Sequence, residues 1–181
     1  MDGRRLAMTK ISFEETKKKG EYAEKIVKQM LEAKGYVVYM PLTKGAHAFD
    51  IMAIKNKKTC IALDIKAKAR LNKYPATGVD IRHYETYKEF SKKHNIPFWI
   101  VFVDEMEKKI YGNSIDLLDA EYVDHESPKM EKYPFRLLTK KNEDLILWHL
   151  NQMKEIAILP DNHANTLAGM NHRSYDYRPE L

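Results

Sequence analysis

The sequence predicts an α/β (α+β) fold in which a central mixed sheet is flanked by helices. Three features lead to this prediction: an amphipathic helix comes first, three strand-like segments follow it, and a second helix precedes a nearly all-apolar strand. A helix between two strands of one sheet is a crossover, which makes those strands parallel, whereas short turns make neighbouring strands antiparallel. The length of 181 residues suits one domain, predicted over residues 1–159, with a flexible tail over residues 160–181.

The first half of the chain predicts one helix and three strands. The helix is expected over residues 14–34, because apolar residues from Tyr22 to Leu31 recur at helical spacing and Gly35 ends the pattern. The three strands are rich in apolar and β-branched residues, and we expect them to form an antiparallel meander. They cover residues 36–40, 48–55 and 59–68.

The second half predicts a helix, an inner strand and a closing helix. Asp80 is the expected N-cap of a helix over residues 81–94, which follows a loop at residues 71–78 that contains Pro and Gly. Residues 98–104, FWIVFVD, are typical of a strand that is covered on both faces. After further short strands, an apolar stripe predicts a last helix over residues 139–158.

Composition excludes several classes of protein. The single cysteine, Cys60, rules out an intrachain disulfide and a cysteine-based zinc site. No apolar run approaches the roughly 20 residues of a membrane span, so no membrane partner is expected. The N-terminal segment MDGRRLAMTK lacks the apolar core of a signal peptide. We therefore expect a cytoplasmic or nuclear protein, which includes a viral protein in a host cytoplasm, and not a secreted one.

Charge is spread unevenly along the chain and indicates a polyanionic partner. The formal net charge is +5. Residues 55–73 hold seven Lys or Arg against one acid, whereas residues 104–131 hold nine acids against three lysines. A focused basic region is typical of proteins that bind nucleic acid. The alternative for this region is a solvated lysine-rich hairpin.

Two aspartates and a lysine lie on the hairpin that the second and third strands are expected to form. Side chains alternate along a strand, so Asp64 and Lys66 share one face. A turn centred near residue 57 makes Asp50 and Asp64 approximate cross-strand partners, with Cβ atoms about 4.5–5.5 Å apart. Two carboxylates at that separation repel each other unless a cation lies between them. Lys66 is one candidate for the cation, and Mg²⁺ or Mn²⁺ is the other, since these metals prefer oxygen ligands.

The first helix offers a third carboxylate. Glu24 borders the apolar face of the helix, beside Val27 and Leu31, whereas Glu21 lies on the solvent side. Glu24 is therefore the helix carboxylate that is placed to reach the edge of the sheet. The alternative is that the hairpin charges form an ordinary surface ion cluster and that Glu24 merely flanks the helix.

These residues together resemble a known family. The segments KKGEYAEKIVKQMLEAKGYVVY, FDIMAIK and ALDIKAKAR are similar to the PD-(D/E)XK nuclease superfamily, and the first resembles archaeal Holliday junction resolvases and phage-type small nucleases. That pattern is a helix glycine with a glutamate four residues later, an aspartate that opens the second strand, and acid-x-Lys on the third. Gly20, Glu24, Asp50, Asp64 and Lys66 match it in order.

The resemblance covers roughly residues 18–104 and departs from the motif at two positions. Phe49 stands where the motif has proline, and Asp64 stands where glutamate is commoner. The resemblance implies a restriction-endonuclease-like αβββαβ core, to which the sequence pattern adds a C-terminal helix and a tail. It leaves the remainder of the chain unassigned.

The resemblance also implies a chemistry. A divalent metal, Mg²⁺ or Mn²⁺, would be held by Asp50, Asp64, the backbone carbonyl of Ile65 and Glu24, the last directly or through water. Lys66 would orient or deprotonate the attacking water, or stabilise charge on the phosphoryl group. The implied reaction is hydrolysis of phosphodiester bonds in DNA by an endonuclease with structure-selective or weakly sequence-specific cleavage.

Four further residues are expected to bind nucleic acid. Lys68 lies on the face that carries the acid-x-Lys motif and Arg70 continues it, so both are placed to hold backbone phosphates. Lys44 and His47 come just before the second strand and are expected at the rim of the site. Solvated side chains are the alternative at each position.

Two other functions stay open at this stage. A nuclease-like fold without catalysis would act as a DNA-binding or inhibitor module, although it would not need to retain the two aspartates and the lysine. A nuclease could also act on RNA, because phosphate contacts do not distinguish the two nucleic acids. Many relatives act as dimers, so a homodimer is a further possibility that the sequence does not decide.

Overall fold

The computed structural model describes residues 13–42, 47–56, 59–67, 75–138 and 144–170. The helices of this part are α1 (Phe13–Ala33), α2 (Ile81–His94), α3 (Ile115–Leu118) and α4 (Asp161–Gly169). The strands are β1 (Val37–Tyr39), β2 (Ile51–Lys55), β3 (Thr59–Lys66), β4 (Ala76–Asp80), β5 (Phe98–Asp104), β6 (Lys109–Ser114), β7 (Tyr122–Val123), β8 (Lys132–Tyr133), β9 (Phe135–Leu138), β10 (Asp144–His149) and β11 (Lys154–Ile158). Within these ranges, none of the helices has the length and apolar character that crossing a bilayer requires.

A six-stranded mixed sheet forms the centre of the molecule, in the order β1-β2-β3-β5-β6-β11. The first three strands make the predicted antiparallel meander, with Ile51 opposite Leu63 in the β2–β3 hairpin. β5 lies parallel to β3, with Ala62 opposite Phe98, so α2 is the expected crossover. The predicted central mixed sheet with flanking helices is confirmed.

One face of this sheet packs against α1 and α4. The apolar stripe of α1 buries Ala23, Ile26 and Val27 against inward-facing residues of the strands, which include Leu63 and Ile65. The alternation along β3 sends these two side chains to the α1 face and leaves Asp64 and Lys66 for the other face. The helix predicted over residues 14–34 is therefore confirmed within one residue at each end.

The opposite face packs against α2 and a second sheet. Asp80 caps α2 as predicted, because its carboxylate accepts a hydrogen bond from the backbone N–H of Arg82 at 2.9 Å. Tyr87 of this helix stacks on Phe98, with ring centroids 4.5 Å apart. The second sheet, in the order β4-β10-β9, adds Trp148 to the same core.

The helix predicted over residues 139–158 is wrong. Its described part forms β10, a short 3₁₀ turn and β11 instead. β10 is the middle strand of its sheet and is covered on both faces, since Leu147 lies in one core and Ile146 and Trp148 in another. A strand buried on both faces has no alternation, and its continuous apolar run cannot be told from a buried helix by spacing.

The loop predicted at residues 71–78 ends in a strand. Residues 76–78 belong to β4, and Gly78 is the reason for the wrong prediction, because a glycine within a strand resembles a turn signal. A Cβ at position 78 would stand 2.0 Å from the backbone carbonyl oxygen of Ile146. The glycine therefore permits the close approach of β4 and β10.

The flexible tail predicted over residues 160–181 is wrong for its first part. Residues 161–169 form α4, which packs on α1 with Ala164 and Leu167 buried. The hydroxyl of Tyr22 and Nδ1 of His163 are hydrogen-bonded at 2.8 Å across the two helices. α4 has too few apolar residues for helical periodicity to predict it. Residues 171–181 lie outside the described part of the chain.

Candidate active site

The β2–β3 hairpin brings Asp50 and Asp64 together. The backbone N–H of Asp50 donates to the carbonyl of Leu63 at 2.9 Å, which continues the hairpin register to the residue before β2. The backbone N–H of Ile65 in turn donates to Oδ2 of Asp50 at 2.7 Å. Backbone groups of β3 therefore fix the Asp50 carboxylate beside Asp64.

Lys66 lies on the same strand face as Asp64 and contacts it directly. Its ammonium nitrogen is 3.0 Å from Oδ1 and 2.8 Å from Oδ2 of Asp64. The contact with Oδ2 lacks hydrogen-bond geometry, so this oxygen is buried without a hydrogen bond to the described residues. The Lys66 side chain is 25% exposed and that of Asp64 only 8%, so the lysine is the part of the pair that solvent or a substrate can reach.

Glu24 approaches the two aspartates from α1. Burial raises the pKa of its carboxyl to about 7, and the charges of Asp50, Glu21 and Asp64 add to the effect. Glu21 itself is exposed, as the helical wheel predicted, whereas Glu24 is half-buried. Helix and hairpin therefore place three carboxyl groups within electrostatic reach of one another.

The pKa of Asp50 is raised by burial and by the same crowding of acidic groups. Burial and then the neighbouring charge of Asp64 raise the pKa of its carboxyl to about 6, although the hydrogen bond from Ile65 and the charge of Lys66 oppose the shift. Perturbed carboxyl groups that share one pocket are typical of functional sites, because a fold gains no stability from bringing like charges together.

Tyr87 of α2 lies beside the candidate site. Burial raises the pKa of its hydroxyl, and the charge of Asp64 adds to the effect. Its ring packs in the core, where it stacks on Phe98, and its hydroxyl is within electrostatic reach of Asp64. The available signal was chemical, since a tyrosine on a buried stripe requires a partner for its hydroxyl.

The remaining predicted residues are placed only in part. His47 is exposed and precedes Asp50 by three positions. Lys44, Lys68 and Arg70 lie outside the described residues. Ile65 stands between Asp64 and Lys66 with its side chain in the core.

The fit of a divalent metal rests on the chemistry of these donors. Among the residues that the structure describes, no three His, Cys, Asp or Glu side chains already form a metal-binding group. The oxygens that would serve are nevertheless present, because Oδ2 of Asp64 is buried without a hydrogen bond and the acids of Asp50 and Glu24 repel each other. Hard oxygen ligands with this surplus of negative charge suit Mg²⁺ or Mn²⁺.

Comparisons with known proteins give a likeness in fold. No protein-family model and no curated protein sequence matches the chain. The structure of Hjc, a Holliday junction resolvase from Archaeoglobus fulgidus, is similar with a TM-score of 0.51 and 15% identity over 77% of this chain and 93% of that one. D212, a nuclease from a fusselovirus, gives a TM-score of 0.45 and 14% identity over 90% of this chain and 96% of its own. The fold that the sequence predicted is thus confirmed by its likeness to the fold of a Holliday junction resolvase.

Proposed function

We propose that this protein is a metal-dependent nuclease that hydrolyses phosphodiester bonds in DNA. The observation that carries the proposal is the meeting of Glu24, Asp50, Asp64 and Lys66 at one end of the β2–β3 hairpin. The elements that deliver these four side chains are those of a fold shared with a Holliday junction resolvase. Three acids and a lysine at this end of the hairpin have no evident role in stabilising the fold.

The carboxylates of Asp50, Asp64 and Glu24, with the backbone carbonyl of Ile65, would hold Mg²⁺ or Mn²⁺. When bound, such a cation polarises a phosphoryl oxygen and lowers the pKa of a water molecule. The protein fixes Asp50 for this role through the N–H of Ile65. Tyr87 lies near Asp64 on the α2 face of the sheet.

Lys66 is the group that faces the substrate. Asp64 holds its ammonium, and its partial exposure allows it to donate to a non-bridging phosphoryl oxygen or to the attacking water. Burial and the neighbouring acids raise the pKa of the Glu24 carboxyl to about 7, and a bound cation would favour its ionised form.

DNA is the proposed substrate because the Archaeoglobus fulgidus protein is a Holliday junction resolvase. We propose endonucleolytic, structure-selective cleavage for the same reason, with Lys44, His47, Lys68 and Arg70 as phosphate contacts. Such contacts supply affinity without sequence information. A homodimer would present two such sites to the two strands of a branched substrate.

The test is a substrate panel. Purified protein is incubated with labelled four-way junction, flap, single-stranded and duplex DNA, and with the matching RNA strands, in Mg²⁺, Mn²⁺ or EDTA. We expect metal-dependent cleavage of DNA, fastest on a branched substrate. Asp64→Asn should abolish it, whereas Asp116→Asn, which removes an equal charge from an exposed position on α3, should not.

Each alternative has its own result in this panel. Binding of DNA without cleavage in either metal would identify a silent nuclease-like module. Preferential cleavage of the RNA strands would change the substrate and leave the site intact. Cleavage that survives Asp64→Asn would place the activity elsewhere or in a contaminant.

A further inference from the structure

The first helix carries a buried ion pair that the candidate site does not use. Lys19 of α1 and Glu105, the residue after β5, form a salt bridge with side chains 3% and 0% exposed. The pair joins positions 86 residues apart. Oε2 of Glu105 is buried and makes no hydrogen bond to the described part of the chain. Such a pair is a costly way to hold two elements together.

Lys19 stands at a position that an apolar residue would ordinarily fill. The buried face of α1 continues through Ala23, Ile26 and Val27, and Lys19 lies one turn before Ala23 on that stripe. A methionine there would cover the sheet without a buried charge. Replacing a buried ion pair by apolar residues of similar volume is often neutral or stabilising, so stability alone does not explain the pair.

A salt bridge fixes the orientation of a helix on its sheet more closely than apolar packing does. Apolar burial is non-directional and tolerates small rotations of a helix on its sheet. Glu24 follows Lys19 by five positions (24 − 19), which is about 7.5 Å along a helix axis and about 140° around it. Rotation of α1 about its axis would therefore move the Glu24 carboxyl relative to Asp50.

We propose that the Lys19–Glu105 ion pair fixes the rotation of α1 and thereby positions Glu24 against Asp50 and Asp64. Lys19 and Glu105 are positioning residues, because they act through the helix. The inference rests on the proposed nuclease site and extends it to an ion pair at the C-terminal end of β5. A displacement of Glu24 by about 1 Å is enough to weaken a preorganised site.

Three variants test the proposal. Lys19→Met/Glu105→Leu replaces the pair with apolar side chains of similar size, and Lys19→Glu/Glu105→Lys reverses its polarity. Lys28→Met is the matched control, since it removes a lysine from the exposed pair with Glu32 on the same helix. Calorimetry measures Mn²⁺ binding to each protein without nucleic acid, and circular dichroism measures its Tm.

The apolar variant should separate stability from positioning. We expect its Tm at or above the wild-type value and its Mn²⁺ affinity reduced about tenfold or more. The reversed pair should regain most of the affinity, and Lys28→Met should bind like the wild type. Unchanged Mn²⁺ affinity in the apolar variant overturns the proposal, because the pair is then only structural.

A second readout needs neither metal nor activity. In a crystal structure of the apolar variant, the Cα of Glu24 should shift by about 1 Å or more relative to that of Asp50. Lys19→Met/Glu105→Gln, which leaves no buried charge and keeps the shape of Glu105, replaces this variant if it does not fold. If α1 of the variant superposes on α1 of the wild type and Glu24 has not moved relative to Asp50, the proposal is overturned. If the wild type binds no Mn²⁺, the nuclease function fails, and the structural comparison still decides the role of the pair.

Discussion

The most informative residues of this protein are carboxyl groups held where ionisation is unfavourable. Asp50 and Glu24 titrate near pH 6 and 7 because burial and neighbouring acids oppose their charges. One such residue is unremarkable, but two beside Asp64 and Lys66 indicate a candidate functional site. The relative placement of Asp50, Asp64 and Lys66 could be predicted from sequence, because hairpin register and strand alternation determine which charges share a face.

The raised pKa values predict how stability depends on pH. Ordinary values are 3.8 for Asp50 and 4.5 for Glu24, and the folded protein raises them to about 6 and about 7. The stabilisation is therefore complete below the ordinary values and is lost as pH rises through the raised ones. In urea unfolding with EDTA, the wild type should lose stability relative to Glu24→Gln/Asp50→Asn between about pH 4 and about pH 8. If the free energy of unfolding had the same pH dependence in the two proteins, the raised pKa values of Glu24 and Asp50 would be contradicted.

Tyr87 shows what the sequence could not give, because spacing places a ring but not its hydroxyl. Tyr87→Phe keeps the stacking on Phe98 and removes the hydroxyl that lies near Asp64. We expect the free energy of unfolding to fall by about 1–2 kcal/mol and kcat/KM for DNA to fall about tenfold or more.

Tyr84→Phe is the matched control for this substitution. It removes a hydroxyl one turn earlier on α2, where Tyr84 donates to Asp119 at 2.7 Å. It should lower stability by about 1 kcal/mol and leave kcat/KM unchanged. Equal activity in the two variants would remove Tyr87 from the site.

At the scale of elements, α1 has a glycine in its interior that packing does not require. A Cβ at Gly20 would meet no heavy atom of the described residues within 4 Å, so alanine fits there. Gly20→Ala should raise the free energy of unfolding by about 0.5–1 kcal/mol, because alanine favours the helix and restricts the unfolded chain. Chemical denaturation measures this change.

Gly112, unlike Gly20, is required by the packing around it, and chemical denaturation tests this too. A Cβ at this position of β6 would lie 2.2 Å from the carbonyl oxygen of Ile100, so backbone would have to move. Gly112→Ala should therefore destabilise the protein by more than about 1 kcal/mol. If Gly20→Ala destabilised it as well, the space beside α1 would be occupied.

Most of the elements that could be predicted have one buried face, and β5, which is buried on both, is the exception. α1, α2 and the β1–β2–β3 meander carry periodic patterns, and a crossover helix implied the parallel β5. β10 and β4 were missed because central strands lack alternation and Gly78 marks a close approach of two strands. These failures lie in the second sheet and leave the candidate site unaffected.

For the whole molecule, the site joins layers that pack on opposite faces of one sheet. Glu24 comes from α1 in one core, and Tyr87 comes from α2 in the other. A cation held between them would favour the folded chain over the unfolded one. At about 100 times Kd, Mn²⁺ should add about 2.7 kcal/mol and raise Tm by roughly 5–10 °C.

The control for this effect is Asp50→Asn, which removes one of the proposed ligands. Its Tm should respond little to Mn²⁺, and EDTA should return the wild type to its lower Tm. An equal shift in the wild type and the variant would show that Mn²⁺ stabilises the protein through another site.

The central claim is that the carboxylates of the β2–β3 hairpin support metal-dependent hydrolysis of DNA. The most direct measurement is the single-turnover cleavage rate of a branched DNA substrate, in Mg²⁺ and in EDTA, for the wild type and Asp64→Asn. We predict cleavage by the wild type in Mg²⁺ alone and a rate at least ~10³-fold lower for Asp64→Asn. Equal rates for the two proteins in Mg²⁺, or cleavage that persists in EDTA, would contradict the account.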